Sequence, residues 1–478
     1  MFEKDAQNVE KRKNTESPDI FNYLREEIPI EDLKDYASPK RLKSIDFVKG
    51  FAIIFIIFSH TSAEWFSEEW AFLHCVLFPI LDFLGPALFI FLSALSVIFS
   101  VKRKQGILPE LVIRNRILSR GLSIMLIGAL FNVFYSYTGE YLMPFPYNIL
   151  PPPHWIVKNP FPLNLWGWNI LFFLGFTQIL SYLSLKLDKK TRIFLGLVVI
   201  FFSPAIREII YFANLEMYSP FKEFDFVTYF LNFIISSPIP QLTLFPWISI
   251  IFISTVFGEY LYDSMMKGTK QELIYLSRIF LIWGSFFLIV GILVGFRLRA
   301  PNLFDPGKSA LYTFIDLVLC ANEQYIVPEI RMAGLPEFMV RGMASNMLYL
   351  IGWSLLLVAI SLHFLDIKEK ENAFTEMLVF YGKVSLSLFL FVFVFDFLFS
   401  EIFPIWFFLP ATFGITGLLG FLMYIWMKYF RGVGSPEWIM VEISRITQKT
   451  EESIKKTEES IKEKIKPKMD ETEISSKS

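Results

Sequence analysis

The sequence predicts an all-α, polytopic membrane protein with about ten transmembrane helices and a short half-helix. Three observations lead there. Of 478 residues, 54% are hydrophobic and 18% aromatic, above the roughly 45–50% apolar share of soluble domains, and mean hydropathy is +0.47. The apolar residues come in runs of roughly 20, the length of a bilayer-crossing helix; the alternating segments of about 10 that a transmembrane barrel needs are absent. The formal net charge of -1 hides an asymmetry, because both tails are rich in Lys and Glu and the middle is apolar.

In chain order, residues 1–39 are charged, carry scattered Pro and hold no sustained period. They read as a disordered cytoplasmic arm, without the apolar core of a cleaved signal peptide. The membrane domain is expected over 40–430, with spans at 46–62, 72–100, 117–137, 165–185, 193–213, 241–262, 279–296, 345–364, 377–399 and 405–427. Ser309 to Cys320 is apolar but too short to cross, so it reads as the half-helix, and Phe224 to Ser237 reads as interfacial or re-entrant. Residues 431–478 form a charged, partly helical tail. It contains TEESIKK followed by TEESIKE, with Ile454 and Ile461 as the lone apolar position of each repeat, where a coiled-coil seam wants two. Cys75 and Cys320 are too few for a disulfide framework.

Lys and Arg in short loops set the orientation. They crowd into 101–116 (Lys102, Arg103, Lys104, Arg114, Arg116), 186–192 (Lys186, Lys189, Lys190, Arg192), the turn around Lys267, Lys270 and Arg278, and the pair Lys368 and Lys370. Residues 63–71 and 400–404 carry none. Ten crossings with both termini inside place the basic loops in the cytoplasm, and the plasma membrane is the expected location. Arg297 and Arg299 fall on the outer side, as interface anchors or as part of an acceptor site.

The chain is organised around 40–100, where Asp46, His60 and Asp82 lie inside or at the edge of two apolar runs. Ionisable groups in hydrocarbon are expensive and mark functional sites by default. His60 and Asp46 are about 21 Å apart on one helix. Lys49 and His60, eleven residues apart, lie on nearly the same face. Imidazole titrates near neutral pH and suits a general base; a hydrogen bond within the bundle is the alternative use. Asp82 precedes Gly85 and Pro86, where a proline kink frees a backbone carbonyl. His74 with Glu64, Glu68 and Glu69 lies at the outer mouth. Asn132, Gln178, Glu259, Asp316, Asn346 and Asp396 lie within apolar segments and serve as interhelical glue or line a polar interior. The four His show no metal-ligand spacing, and there is no glycine-rich phosphate cradle. Phosphates would therefore be held by side chains, for which Lys102, Arg103, Arg114, Arg116 and Arg120 are placed; the positive-inside signal alone is the alternative reading of this loop.

RLKSIDFVKGFAIIFIIFSHT, at 41–61, resembles the opening of the heparan-α-glucosaminide N-acetyltransferase-like transmembrane acyltransferases, and more distantly the O-antigen and peptidoglycan acyltransferases. Arg41, Ser44, Asp46, Lys49 and Gly50 occupy the positions of the family pattern. Lys49 stands eleven residues before His60, where the O-acyltransferase branch has Arg, and the resemblance implies a part for it in holding the acyl-CoA, although Lys and Arg are not equivalent there. Asp82-x-x-x-Pro86 and the apolar stretch after it are similar to the family's second helix. The N-acetyltransferase branch carries Asn at the place of His60 and its catalytic His in the next outer loop, where His74 is the counterpart. Asn169 to Gly175, Phe245-Pro246-Trp247 and Gly382 to Ser387 also resemble family landmarks, in family order over roughly 40–430.

The resemblance implies transfer of an acyl group, most simply acetyl, from cytoplasmic acetyl-CoA to a hydroxyl or amine of a glycan or similar acceptor outside. His60 or His74 would take the acceptor proton, and Asp46 or Asp82 would orient the imidazole or shape the pore. The expected partners are membrane lipid, acyl-CoA, the acceptor and a second copy of the chain if it self-associates, with no nucleic acid and no metal. The rival is a transporter or flippase for a small polar or lipid-linked substrate; such proteins often show internal repeats, and none is visible here. A non-catalytic scaffold using the tail would leave His60 and Asp82 unexplained.

Overall fold

A computed structural model describes residues 42–67, 79–102, 104–106, 109–142, 169–213, 244–267, 269–299, 335–396, 402–440 and 442–443, with a few isolated positions between them. The 1–39 arm, the half-helix at 309–320, the repeats around Ile454 and Ile461, both cysteines, Arg41, His74, Arg103 and Asp316 lie outside these residues.

Helices dominate the described chain: α1 Lys43–Glu64, α2 Pro86–Lys102, α3 Glu110–Leu142, α4 Ile170–Ser184, α5 Lys189–Ala213, α6 Leu244–Lys267, α7 Lys270–Val294, α8 Ala344–Ser361, α9 Ala373–Lys383, α10 Ser385–Asp396 and α11 Ile405–Tyr429. A π turn, Leu362–Ile367, extends α8. Among the described residues, the exceptions to the all-α expectation are an isolated bridge between Phe66 and Phe403 and a two-residue antiparallel pair, β1 Leu298–Arg299 with β2 Leu335–Pro336. It draws the end of α7 to the approach to α8, helped by Glu337 N donating to Arg297 O at 3.0 Å.

Each expected span overlaps a helix among the described residues. Among the described residues, six helices are long and apolar enough to cross a bilayer, and the bent pair α9/α10 makes a seventh. The ten-crossing count is therefore only partly matched. α4 is short at 15 residues, while α3 and α5 are long but start with charged turns. Both still present large exposed apolar side chains, Leu122, Leu126 and Leu130 on α3 and Phe194, Phe201 and Phe202 on α5. The same is true of α7, whose exposed Ile282, Phe286, Ile289 and Leu293 form one stripe at helical spacing. Water would penalise such a surface and lipid would not.

Two expectations about helix breaks are corrected. The 377–399 span is not one helix: α9 and α10 meet at an 84° bend, and α10, with 12 residues, is about 18 Å long. Pro86 does not kink a helix either. It is the first residue of α2, where its missing N–H and fixed φ cost nothing, and the chain before it forms a 3-10 turn, Asp82–Leu84.

The core lies where α1, α2, α6, α7, α8 and α10 converge. Ile53, Ile57, Leu88, Phe91, Trp247, Ile251, Phe280, Leu350 and Leu388 are buried there. α9 packs on the first half of α1 by backbone-to-backbone approach. A Cβ at Gly50 would collide with the Leu378 carbonyl, and one at Gly382 with the Asp46 carbonyl. Gly50 of the amino-terminal motif is thus a packing requirement.

Lys43 begins α1, Lys102 ends α2, Lys189 begins α5, Lys267 ends α6 and Lys270 begins α7. Their ion pairs (Lys43–Glu371 2.6 Å, Lys102–Glu259 3.4 Å, Lys189–Asp263 3.5 Å, Lys267–Glu272 3.1 Å, Lys270–Glu369 2.7 Å) define one basic end of the bundle.

Candidate functional site

His60 sits in the last turns of α1, on the half remote from the basic end. Its ring meets Phe393 edge-to-face at 4.5 Å between centroids and Phe389 at 6.3 Å. Phe131 of α3 closes the group, 4.7 Å from Phe393. Phe389 and Phe393 are buried core residues, so the imidazole faces into the bundle. The next residue, buried Thr61, contacts Thr412 of α11 through the two hydroxyls at 3.2 Å.

Asp46 is buried near the basic end. α1 is continuous, so the two side chains sit about 21 Å apart along its axis, and Asp46 does not touch His60. Its neighbourhood is Ser44 and Asp366. The Asp366 carboxylate accepts from the backbone N of Lys43 and of Ser44, each at 3.2 Å. It caps α1 from the π turn more than three hundred residues away, where the α1 N-cap has no side-chain partner of its own. Lys49 donates to Ser96 Oγ at 3.5 Å and joins α1 to α2.

Asp82 is buried in the turn before α2. Arg341 donates to its Oδ1 through Nε at 2.9 Å and again through Nη2. Oδ2 is buried without a hydrogen-bond partner among the described residues. Phe83 stacks on Trp353 of α8 at 4.4 Å, and Tyr349 stands edge-on to Trp353 at 6.4 Å. The turn lies beside Phe55, which a Cβ at Gly85 would approach to 3.7 Å. Phe55 stands five residues before His60 on α1, about 140° round the helix.

At the basic end, Glu259 gathers Arg192 at 2.9 Å, Lys102 at 3.4 Å and Lys189 at 3.6 Å. Arg192, which in sequence is only an orientation signal, is 1% exposed. Its Nε and Nη1 have no hydrogen-bond partner among the described residues. Of the other basic residues expected to hold phosphate, Arg116 keeps a buried Nε without a partner. Arg114 is exposed and reaches its neighbour Asn115 at 3.4 Å, and Arg120 is half-buried.

The polar residues expected to join helices include several that do so. Asn169 caps α4 and donates to Asn132 Oδ1 at 2.6 Å and Gly128 O at 2.8 Å. Gln178 donates to Ser93 at 2.6 Å, and Asn346 to Phe338 O at 2.9 Å. Sequence alone does not mark Arg341, Asp366 or Glu437. Each lies outside the apolar runs or at their edge and declares itself only through a distant partner. Ser435 with Pro436 and Glu437 does carry a helix-start signature, and Ser435 Oγ accepts from Trp438 N at 3.1 Å.

These features define an integral, multi-pass helical membrane protein with carboxylates, guanidinia and an imidazole inside the bundle. A family model described as heparan-alpha-glucosaminide N-acetyltransferase, catalytic, matches residues 41–290, just over half of the 478 residues. The chain belongs to this family of membrane acetyltransferases. Comparisons with curated proteins and with solved structures returned no match.

Proposed function

We propose that the chain moves an acetyl group from acetyl-CoA, bound from the basic end, to an amine or hydroxyl of a glycan or similar acceptor that enters from the opposite end. His60 is the base that takes the acceptor proton. The observation that carries the reading is the inward-facing His60 ring packed against Phe393 and near Phe389, since an imidazole turned to lipid could reach no acceptor. His74 remains the alternative base. Asp82 with Arg341, beside Phe83, Trp353 and Tyr349, suits the acceptor: aromatic faces and a carboxylate oxygen with spare capacity match a polar ring. In this reading Asp82 shapes the acceptor recess and does not orient His60. The donor's phosphates fall to Lys102, Lys189, Arg192 and Arg116, with Lys49 deeper on the same path and Asp46 a structural carboxylate at its mouth. The basic end is cytoplasmic by the positive-inside bias, both termini lie there, ten segments cross, and the plasma membrane is the location proposed.

The experiment uses purified chain in detergent. Acetyl-CoA at 100 times its Kd should add about 2.7 kcal/mol of stability by linkage, read as a rise in Tm. His60→Ala should abolish turnover while keeping that rise. No rise at millimolar acetyl-CoA overturns the donor assignment. Turnover that survives His60→Ala moves the base to His74, and turnover that survives both substitutions overturns the chemistry.

A second reading, a transporter or flippase, has one observation in its favour: the broken pair α9/α10, since broken helices are a device of transporters. Acceptor acetylation by reconstituted protein separates the two.

A further inference from the structure

The 84° bend between α9 and α10 leaves the first amides of α10 without the preceding turn that would normally take them. Glu437, from the segment after α11, fills that place. Its carboxylate accepts from Ser387 N at 3.0 Å and from the Ser387 hydroxyl. A carboxylate at a helix N-terminus meets both the free amides and the positive end of the helix dipole. The segment that delivers it is built for the purpose. Gly432 and Gly434 turn the chain at positive φ, Trp426 Nε1 donates to Val433 O at 2.9 Å, Ser435 is buried and Trp438 packs on the core.

α10 is also the helix that carries Phe389 and Phe393. These rings, four residues apart on one face, lie two and six residues beyond Ser387, and both neighbour His60, Phe393 the nearer. Just before α11, Phe403 N donates to Trp65 O at 2.8 Å and Ser67 N to Phe403 O at 3.0 Å, which joins the lead into α11 to the end of α1. The helix bearing the His60 wall is therefore held at its near end by a side chain fifty residues away.

We infer that Glu437 is a positioning residue for His60: by capping α10 it sets the height and rotation of Phe389 and Phe393 against the imidazole. Its catalytic consequence rests on the reading of His60 as base; the coupling itself does not.

The test uses full-length protein with ring-15N histidine, in which the His60 signal is assigned by its loss in His60→Gln. Glu437→Ala should move the His60 titration midpoint by at least about half a pH unit, because the surroundings of the ring change. It should also lower kcat by about tenfold with the KM for acetyl-CoA unchanged, the mark of misplacement and not of lost binding. Ser387→Ala keeps the backbone contact and should shift the midpoint in the same direction by less, which serves as the test if Glu437→Ala does not fold. Glu437→Gln keeps an acceptor oxygen and should restore both readouts. A His60 midpoint unmoved in the folded Ala variants overturns the inference. Turnover retained in His60→Gln overturns the assignment of the base, and the titration then decides the coupling alone.

Discussion

Arg341 grips Asp82 with two donors on one carboxylate oxygen across 259 positions of sequence. Asp82 is 3% exposed at its side chain and Arg341 13%, so the pair is removed from solvent at the break between the 79–81 turn and α2. The gain from burying such a pair is small, but removing one partner leaves a buried charge alone. Arg341→Ala should destabilise the fold by about 3–5 kcal/mol, and Asp82→Asn combined with Arg341→Ala by less than the two single changes added. Thermal unfolding of the four proteins in detergent measures both.

The glycine contacts between α1 and α9 give a test of packing. Gly50→Ala or Gly382→Ala drives a methyl into a main-chain carbonyl, which cannot move as a side-chain tip could. Either variant should fail to give monodisperse protein. Gly414 and Gly417 on α11 have open space at the Cβ position, so Ala there should be neutral or stabilising by up to about 1 kcal/mol. Size-exclusion profiles and Tm values of the four variants separate the cases.

Burial raises the Glu437 carboxyl above its ordinary value of 4.5, against the opposing pull of its hydrogen bonds to Ser387. For an acid shifted upward, the folded state holds the proton more tightly. The associated stability is fully present below the ordinary value and is lost as pH rises through the folded one. The wild type should therefore lose Tm over the window that opens at about pH 4.5, and Glu437→Gln, which cannot titrate, should flatten that part of the curve. A wild-type curve parallel to that of the variant across pH 4–8 would count against it.

Arg192 ties the basic end together, and its Nε and Nη1, without a hydrogen-bond partner among the described residues, are the reason it enters the donor assignment. Arg192→Gln should raise the KM for acetyl-CoA by tenfold or more, at about 1.5–3 kcal/mol for a lost charged hydrogen bond, with kcat nearly unchanged. A change in kcat with KM constant would remove Arg192 from the donor site.

Legibility from sequence follows the range of the interactions. His60 and Asp46 could be placed on one helix and about 21 Å apart, because a helix is a local object with a fixed rise. The cluster on Glu259 could not be foreseen. A charge count reads Lys189 and Arg192 alike as loop residues, whereas folding leaves the first half-exposed and the second buried against α6. The break at 383–385 escaped as well. Residues 377–399 read as one apolar run, and hydropathy carries no sign of a bend whose open amides are capped by a residue from beyond α11.

By itself the sequence determined that this is a multi-pass helical membrane protein, which segments are helical and which family it belongs to. Those properties depend on run lengths set by bilayer thickness and on short-range motif spacing. Only the tertiary structure decided which charged groups meet. Asp82 with Arg341, Asp366 with the start of α1, Arg192 with Glu259 and Glu437 with Ser387 are all pairs distant in the chain. Each buried group needs a partner, and which partner is within reach depends on how the helices pack.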